Sequence, residues 1–212
     1  WFGSTNAARE IVGELPIYKR ERMYNLKLIP YIFSKITVLS FFSIIQSFVF
    51  IYILYFYYGD SDFDIFFNNP FSSFIWMSFL TISSTFLGLL LSAIFDTSEK
   101  VLAVVPIVLI PQIMLAGLVA KIGSKTVEFV SYMTFTRWGI EGFGNIQGDI
   151  VTDNPLTKTA DAVEFLKNNF HESYSDHFNS SGTLSLDFIA IFFLVSLMFI
   201  SLYLILKSKD SI

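Results

Sequence analysis

The chain has 212 residues, of which 53% are hydrophobic and 18% aromatic, and only 15% are charged, against roughly 25% in soluble domains. That balance, with a positive mean hydropathy, points to an integral membrane protein. A net charge of -4, with the basic residues gathered beside apolar runs, argues against a nucleic-acid partner, and the lack of cysteine excludes disulfides, thiolate chemistry and cysteine-ligated metals.

Residues 1–8, WFGSTNAA, are small and apolar and read as the last turns of a helix rather than a full span. The chain opens on Trp1 with no signal-peptide pattern, so a C-terminal portion of something longer is expected. Residues 10–35, EIVGELPIYKRERMYNLKLIPYIFSK, interleave Lys19, Arg20, Arg22, Lys27 and Lys35 with Glu10, Glu14, Glu21 and a set of apolar side chains. The pattern suits a helix lying on a membrane surface, or one held between a membrane domain and a soluble partner. Pro16 and Pro30 predict two breaks, giving a helix, a bend, a second short helix and then the membrane.

Residues 36–58, ITVLSFFSIIQSFVFIYILYFYY, carry no charge and at about 1.5 Å per residue are long enough for a hydrocarbon core of roughly 30 Å. Tyr52, Tyr55, Tyr57 and Tyr58 fit an interfacial belt. The loop over 59–70 holds Asp60, Asp62 and Asp64; D-x-D-x-D opens a calcium loop, but no glycine follows at the turn and no glutamate closes it, so an acidic external loop is expected. Residues 71–95 form a second span in which Ser84, Gly88 and Ser92 make a small-residue stripe for close helix approach. A polar hairpin, DTSEK over 96–100, leads to a third span over 101–120, where Pro106 and Pro111 imply a kinked or locally unwound helix such as a cavity wall tolerates.

Residues 121–183 hold both histidines. They begin with VEFVSYMTFTRWGIEGFGNI, too interrupted to span and suited to a shallow or re-entrant position, and turn soluble in character from Asp149. Residues 160–168 read as a short helix, with Asp161 early and Lys167 late. His171, Glu172, Asp176 and His177 are metal-ligand types at loose spacing, read here as a solvated loop, and Asn179 opens a glycosylation triplet. Residues 184–206 form the last span, with Asp187 in its first turn, able to reach the interface, and Lys207 and Lys209 beyond it. By the positive-inside rule the opening segment, the 96–100 hairpin and the C-terminus are cytoplasmic and the long acidic region is external. The amphipathic segment then faces the compartment that holds ATP.

The run NAAREIVGELPIYKRERMYNLKLIPYIFSK, followed by a span with a central Gln46, resembles the membrane domain of ABC exporters of the G subfamily, the white and breast-cancer-resistance type, and their bacterial relatives. The matching residues are Asn6, Ala7, Glu10, Glu14, Arg20, Glu21, Arg22, Tyr31, Ser34 and Lys35. Further on, Gly117, Tyr132, Arg137, Trp138 and Gly139 fit the end of that family's fifth span and its external re-entrant element, with Thr136 where the family often has proline. The resemblance implies that the four spans here are the third to sixth of six. It makes residues 10–27, with Glu10, Glu14, Arg20, Glu21 and Arg22, the connecting and coupling helices that rest on a nucleotide-binding domain, fused or separate. ATP and magnesium would bind that domain and no cofactor this segment. A second membrane domain, identical or different, would complete the pathway, with Leu118 and Val119 as an apolar valve. Gln46 and Gln112 are the carboxamides deep in spans, open either to substrate contact or to bonding across helices.

The expected fold is an all-α polytopic membrane protein: 1–35 as the end of a preceding span and a cytoplasmic coupling segment, 36–120 as three transmembrane helices, 121–183 as the extracytoplasmic region with its re-entrant part, and 184–212 as the last transmembrane helix and tail. The expected function is the permease half of an ATP-driven exporter in the cell (inner) membrane, working by alternating access on a hydrophobic or amphipathic substrate. The ATP-hydrolysing centre would lie outside this segment, which shows no catalytic or metal set of its own. The alternatives are a non-transporting anchor for a regulatory domain and an ATP-independent channel or transporter. The latter would ordinarily place ionisable residues deep in its spans, where this chain has none.

Overall fold

The computed structural model describes residues 1–24, 26–58, 70–116, 125–153 and 183–209, apart from the side chains of 58 and 147–153. The acidic loop with Asp60, Asp62 and Asp64, the valve pair Leu118 and Val119, the helix expected over 160–168, the group from His171 to His177 and Asn179 lie outside the described residues. Among those described there are nine helices and no strand: α1 Phe2–Ala7, α2 Glu10–Gly13, α3 Leu15–Met23, α4 Leu28–Tyr58, α5 Pro70–Ile94, α6 Ser98–Met114, α7 Lys125–Ser131, α8 Phe135–Asp153 and α9 Leu184–Lys209.

Three of them, α4, α5 and α9, are long and apolar enough to cross a membrane. At 31, 25 and 26 residues each exceeds the roughly 30 Å of a hydrocarbon core. The further span expected over 101–120 is helical as α6 as far as Met114; its 17 residues come to about 26 Å, and residues 117–120 lie outside the described set. The stretch expected to be re-entrant forms α7 and α8. α8 has length enough at 19 residues, but Arg137, Glu141, Asp149 and Asp153 keep it from reading as a span.

The two prolines of the opening segment act differently from one another. Pro16 lies in the first turn of α3, just after the bend at Glu14, as expected. Pro30, expected to break a helix, does not: α4 starts before it, at Leu28. In the first turn a proline lacks only an N–H that has no intrahelical acceptor anyway, so Pro30 opens the helix instead of interrupting it. α4 is therefore longer at its start than the uncharged run over 36–58.

The chain divides into two compact units. The first comprises Trp1–Ser47, Ser78–Ile110 and Phe192–Ile212. Its core gathers Ala7, Ile11 and Tyr18 from the opening segment, Leu28, Ile32 and Leu39 from α4, Leu89 and Ala93 from α5, and Leu202 and Leu206 from α9. α4 and α5 run antiparallel here: Ser43 meets Thr85 at 3.4 Å and, four residues on, Ser47 meets Thr81 at 2.9 Å. Ser47, Ser83 and Thr85 also donate to the carbonyl one turn earlier in their own helices, which removes the cost of burying those hydroxyls. α1 lies on the small-residue stripe of α5, where a Cβ on Gly88 would meet the Ser4 backbone oxygen and come within 2.8 Å of Ala7 Cβ. Only a glycine permits that backbone approach.

The second unit comprises Phe48–Met77 and Pro111–Ile191. Trp76 is wholly buried at its centre. Its Nε1 donates to the Gly139 carbonyl at 2.9 Å and its ring stands edge-on to Phe188, centroids 4.6 Å apart. Gly142 faces the Trp76 ring with no room for a Cβ. Arg137, Glu141 and Asn145 recur every four residues and so share one face of α8; Arg137 and Glu141 are fully buried. The Arg137 guanidinium carbon lies 3.8 Å from the centroid of the Tyr132 ring, and Nη1 donates to Ser131 Oγ at 2.7 Å. Asn145 Nδ2 donates to Asp187 Oδ2, also at 2.7 Å. Asp187, in the first turn of α9, is fully buried against that amide.

Candidate functional site

Residues 10–24 form a short segment of helix, bend and helix, anchored to the first unit at three points. The first is ionic. Lys35 on α4 places Nζ 3.0 Å from Glu10 Oε2 and 2.6 Å from Glu14 Oε2. Glu10 opens α2 and Glu14 sits at the bend between α2 and α3, so one ammonium ties both ends of α2 to α4. The lysine side chain is 17% exposed and the two carboxylates 37% and 44%. Pairs this open are worth roughly 0–1 kcal/mol each, because water and salt screen them.

The second anchor is apolar. Tyr18, the buried residue of α3, packs its ring against Tyr31 of α4 at 5.0 Å between centroids, an aromatic contact worth about 0.5–1.5 kcal/mol beyond area burial. The third is backbone: the N–H groups of Ile11 and Val12 donate to Ser92 Oγ of α5 at 3.1 and 3.0 Å. The end of α3 is closed locally, with Tyr24 N–H donating to the Glu21 carbonyl at 3.0 Å and Arg22 Nη1 to the Leu26 carbonyl.

With Tyr18 turned inward, α3 leaves Ile17, Lys19, Arg20, Glu21 and Met23 exposed, and Tyr24 follows at its end, also exposed. A face that mixes two apolar residues, an exposed tyrosine and charges of both signs has the composition of a docking surface: apolar contact for affinity, charge for orientation. Arg20 and Glu21 thus stand on the open face, Glu10 and Glu14 on Lys35, and Arg22 on the closing turn.

The carboxamides both make polar contacts to neighbouring segments. Gln46 Oε1 accepts from Asn6 Nδ2 at 3.1 Å, and Gln112 Oε1 accepts from Thr136 Oγ1 at 3.3 Å. Phe41, Phe42, Phe48 and Ile113 are each exposed on the chain. Sequence reasoning counted Lys35 in the motif without giving it the contact with Glu10 and Glu14, and read Ser92 only as a small packing residue. For Lys35 the signal was present: a lone cation at the head of an apolar helix, preceded by two acids, Glu10 and Glu14.

Long apolar helices joined to a short, charged segment anchored on them define a polytopic membrane protein. The profile of the ABC-2 type transporter family matches residues 1–147, and the chain belongs to that family: it is a membrane component of an ABC transporter. It is similar to the ABC transporter ATP-binding/permease protein Rv1747 of Mycobacterium tuberculosis, with 25% identity over 142 residues, which make up 66% of this chain and 16% of that protein. The chain thus spans less than a fifth of the length of that relative.

Proposed function

We propose that this chain is the permease half of an ATP-driven exporter of the G-subfamily type, with residues 10–24 as the lever that couples it to a nucleotide-binding domain. The observation that carries the reading is the contact of Lys35 with both Glu10 and Glu14, which ties the segment to a membrane-crossing helix while α3 keeps an open face. The family membership and the similarity to a protein named as both ATP-binding and permease support an ATPase in the same chain or in a separate subunit, with ATP and magnesium bound there.

In this reading residues 101–120 complete a fourth span, the opening segment and C-terminus are cytoplasmic in the cell membrane, and the stretch containing α7 and α8 is external and re-entrant. A second membrane domain, identical or not, pairs with this one around a midplane pathway for a hydrophobic or amphipathic substrate, with Leu118 and Val119 as its valve. ATP-driven closure of the motors pushes on the open face of α3. Because Glu10 and Glu14 hold Lys35, the push reaches α4, and access alternates from inside to outside.

The test is ATP turnover by the full-length parent protein in lipid nanodiscs, wild type against the double change Arg20→Ala, Arg22→Ala. A loss of turnover, or of its stimulation by lipid-like compounds, in protein that still folds supports the lever. Wild-type turnover would make those arginines topological charges and favour a non-transporting anchor.

A further inference from the structure

We infer that Ser92 is a positioning residue for coupling: from within a membrane-crossing helix it supplies the N-terminal cap that the coupling segment's own sequence lacks. The inference rests on the coupling role proposed above. A helix leaves its first backbone N–H groups without intrahelical acceptors, and the usual remedy is a Ser, Thr, Asp or Asn at the N-cap that accepts from the second or third of them. In α2 the N-cap is Arg9, which makes no side-chain cap bond; a guanidinium has no acceptor to offer. The second and third residues of α2, Ile11 and Val12, donate to Ser92 Oγ instead. The acceptor is 81 and 80 positions away in sequence, yet it does the work of a local cap.

Ser92, Ile11 and Val12 are all buried, so water cannot readily replace the lost acceptor, and an unpaired buried N–H is costly. The link is also stiff. It joins a short side chain to backbone, so any shift of α5 along or about its axis carries the start of α2 with it or breaks two hydrogen bonds. Lys35 reaches the same segment through long, partly exposed side chains, which follow a movement without letting go. The segment is therefore pinned at its start to α5 and tethered across its bend to α4, the arrangement a lever needs to turn a push into a rotation.

The experiment uses the full-length parent protein in lipid nanodiscs with Ser92→Ala, Ser92→Thr and Ser92→Cys. It reads amide hydrogen exchange over residues 10–13 and ATP turnover, resolved into kcat and KM for ATP. Ser92→Ala is expected to speed exchange at Ile11 and Val12 by about tenfold, the effect of losing a typical cap, and to lower kcat several-fold with KM for ATP unchanged. Ser92→Thr, which keeps the hydroxyl, recovers both. Ser92→Cys, close in size but a weak acceptor, falls between them and replaces the alanine variant if that one does not fold. Faster exchange with unchanged kcat overturns the inference and leaves Ser92 a structural cap; unchanged exchange overturns it at the hydrogen bonds themselves. Wild-type turnover in the Arg20→Ala, Arg22→Ala protein is a separate result, which overturns the lever rather than the cap.

Discussion

In the unit formed by Trp1–Ser47, Ser78–Ile110 and Phe192–Ile212, the ion pairs stand at the margin of the protein: Glu10 and Glu14 keep 37% and 44% of their side chains exposed, and Asp96 beside Lys209 keeps 74%. In the unit formed by Phe48–Met77 and Pro111–Ile191, Arg137, Glu141 and Asp187 are fully buried. The difference is one of reversibility. An exposed pair gives up little when it opens, because water takes the place of the partner. A buried charge has no such substitute, so its surroundings stay assembled. The first unit keeps these pairs where water can replace either partner, and the second keeps Arg137, Glu141 and Asp187 where water cannot.

The largest effect of a single substitution is expected in the second unit. Arg137→Ala removes the guanidinium from the Tyr132 face and from Ser131 Oγ, and should cost about 3–5 kcal/mol, from a charge-assisted hydrogen bond and a desolvated cation–π contact together. A large fall in melting temperature of the reconstituted protein checks it. Asn145→Ala, which takes one donor from the buried Asp187, should cost roughly 1.5–3 kcal/mol by the same measurement. Gly88→Ala, in the first unit, forces a Cβ against Ser4 and Ala7 and should cost about 1–3 kcal/mol by overpacking, with α1 displaced from α5 as seen by cross-linking between engineered cysteines in a chain that has none of its own.

The smallest effect belongs to Asp96. A hydrogen bond from Lys209, helped by its charge, holds this carboxyl below the ordinary 3.8. A lowered folded-state value means that the contribution is present at neutral pH and is lost as pH falls below about 4. Asp96→Asn should therefore melt only marginally earlier than wild type at pH 7, with the difference shrinking as the scans are repeated at lower pH.

Much of the helix content could be read from the sequence because a long run without charge has few stable settings besides a helix in lipid: the runs at 36–58, 71–95 and 184–206 mark the three helices able to cross a membrane. The opening segment was legible too, since its acids and bases alternate with apolar residues beside a span. What escaped was pairing over long separations. The partner of Asp187 is Asn145, 42 positions away, and nothing local marks the two as neighbours. Ser92 looks like a packing residue because the smallness that admits α1 is also what lets a backbone N–H reach its oxygen. Arg137, Glu141 and Asn145 did leave a trace, a polar residue every four along an aromatic stretch, which identifies a buried polar face once that stretch is known to be helical.

In the function proposed above, residues 10–24 work as a lever because Lys35 holds Glu10 and Glu14. The most direct measurement is a charge reversal in the full-length protein in nanodiscs, read as ATP turnover and checked by melting temperature. Lys35→Glu alone should leave melting within a few degrees of wild type and lower turnover substantially. Lys35→Glu combined with Glu10→Lys and Glu14→Lys should recover most of it, as a coupled set does when its charges are exchanged together. Wild-type turnover in the single variant, or a combined variant that melts normally and stays as slow as the single one, would contradict the account.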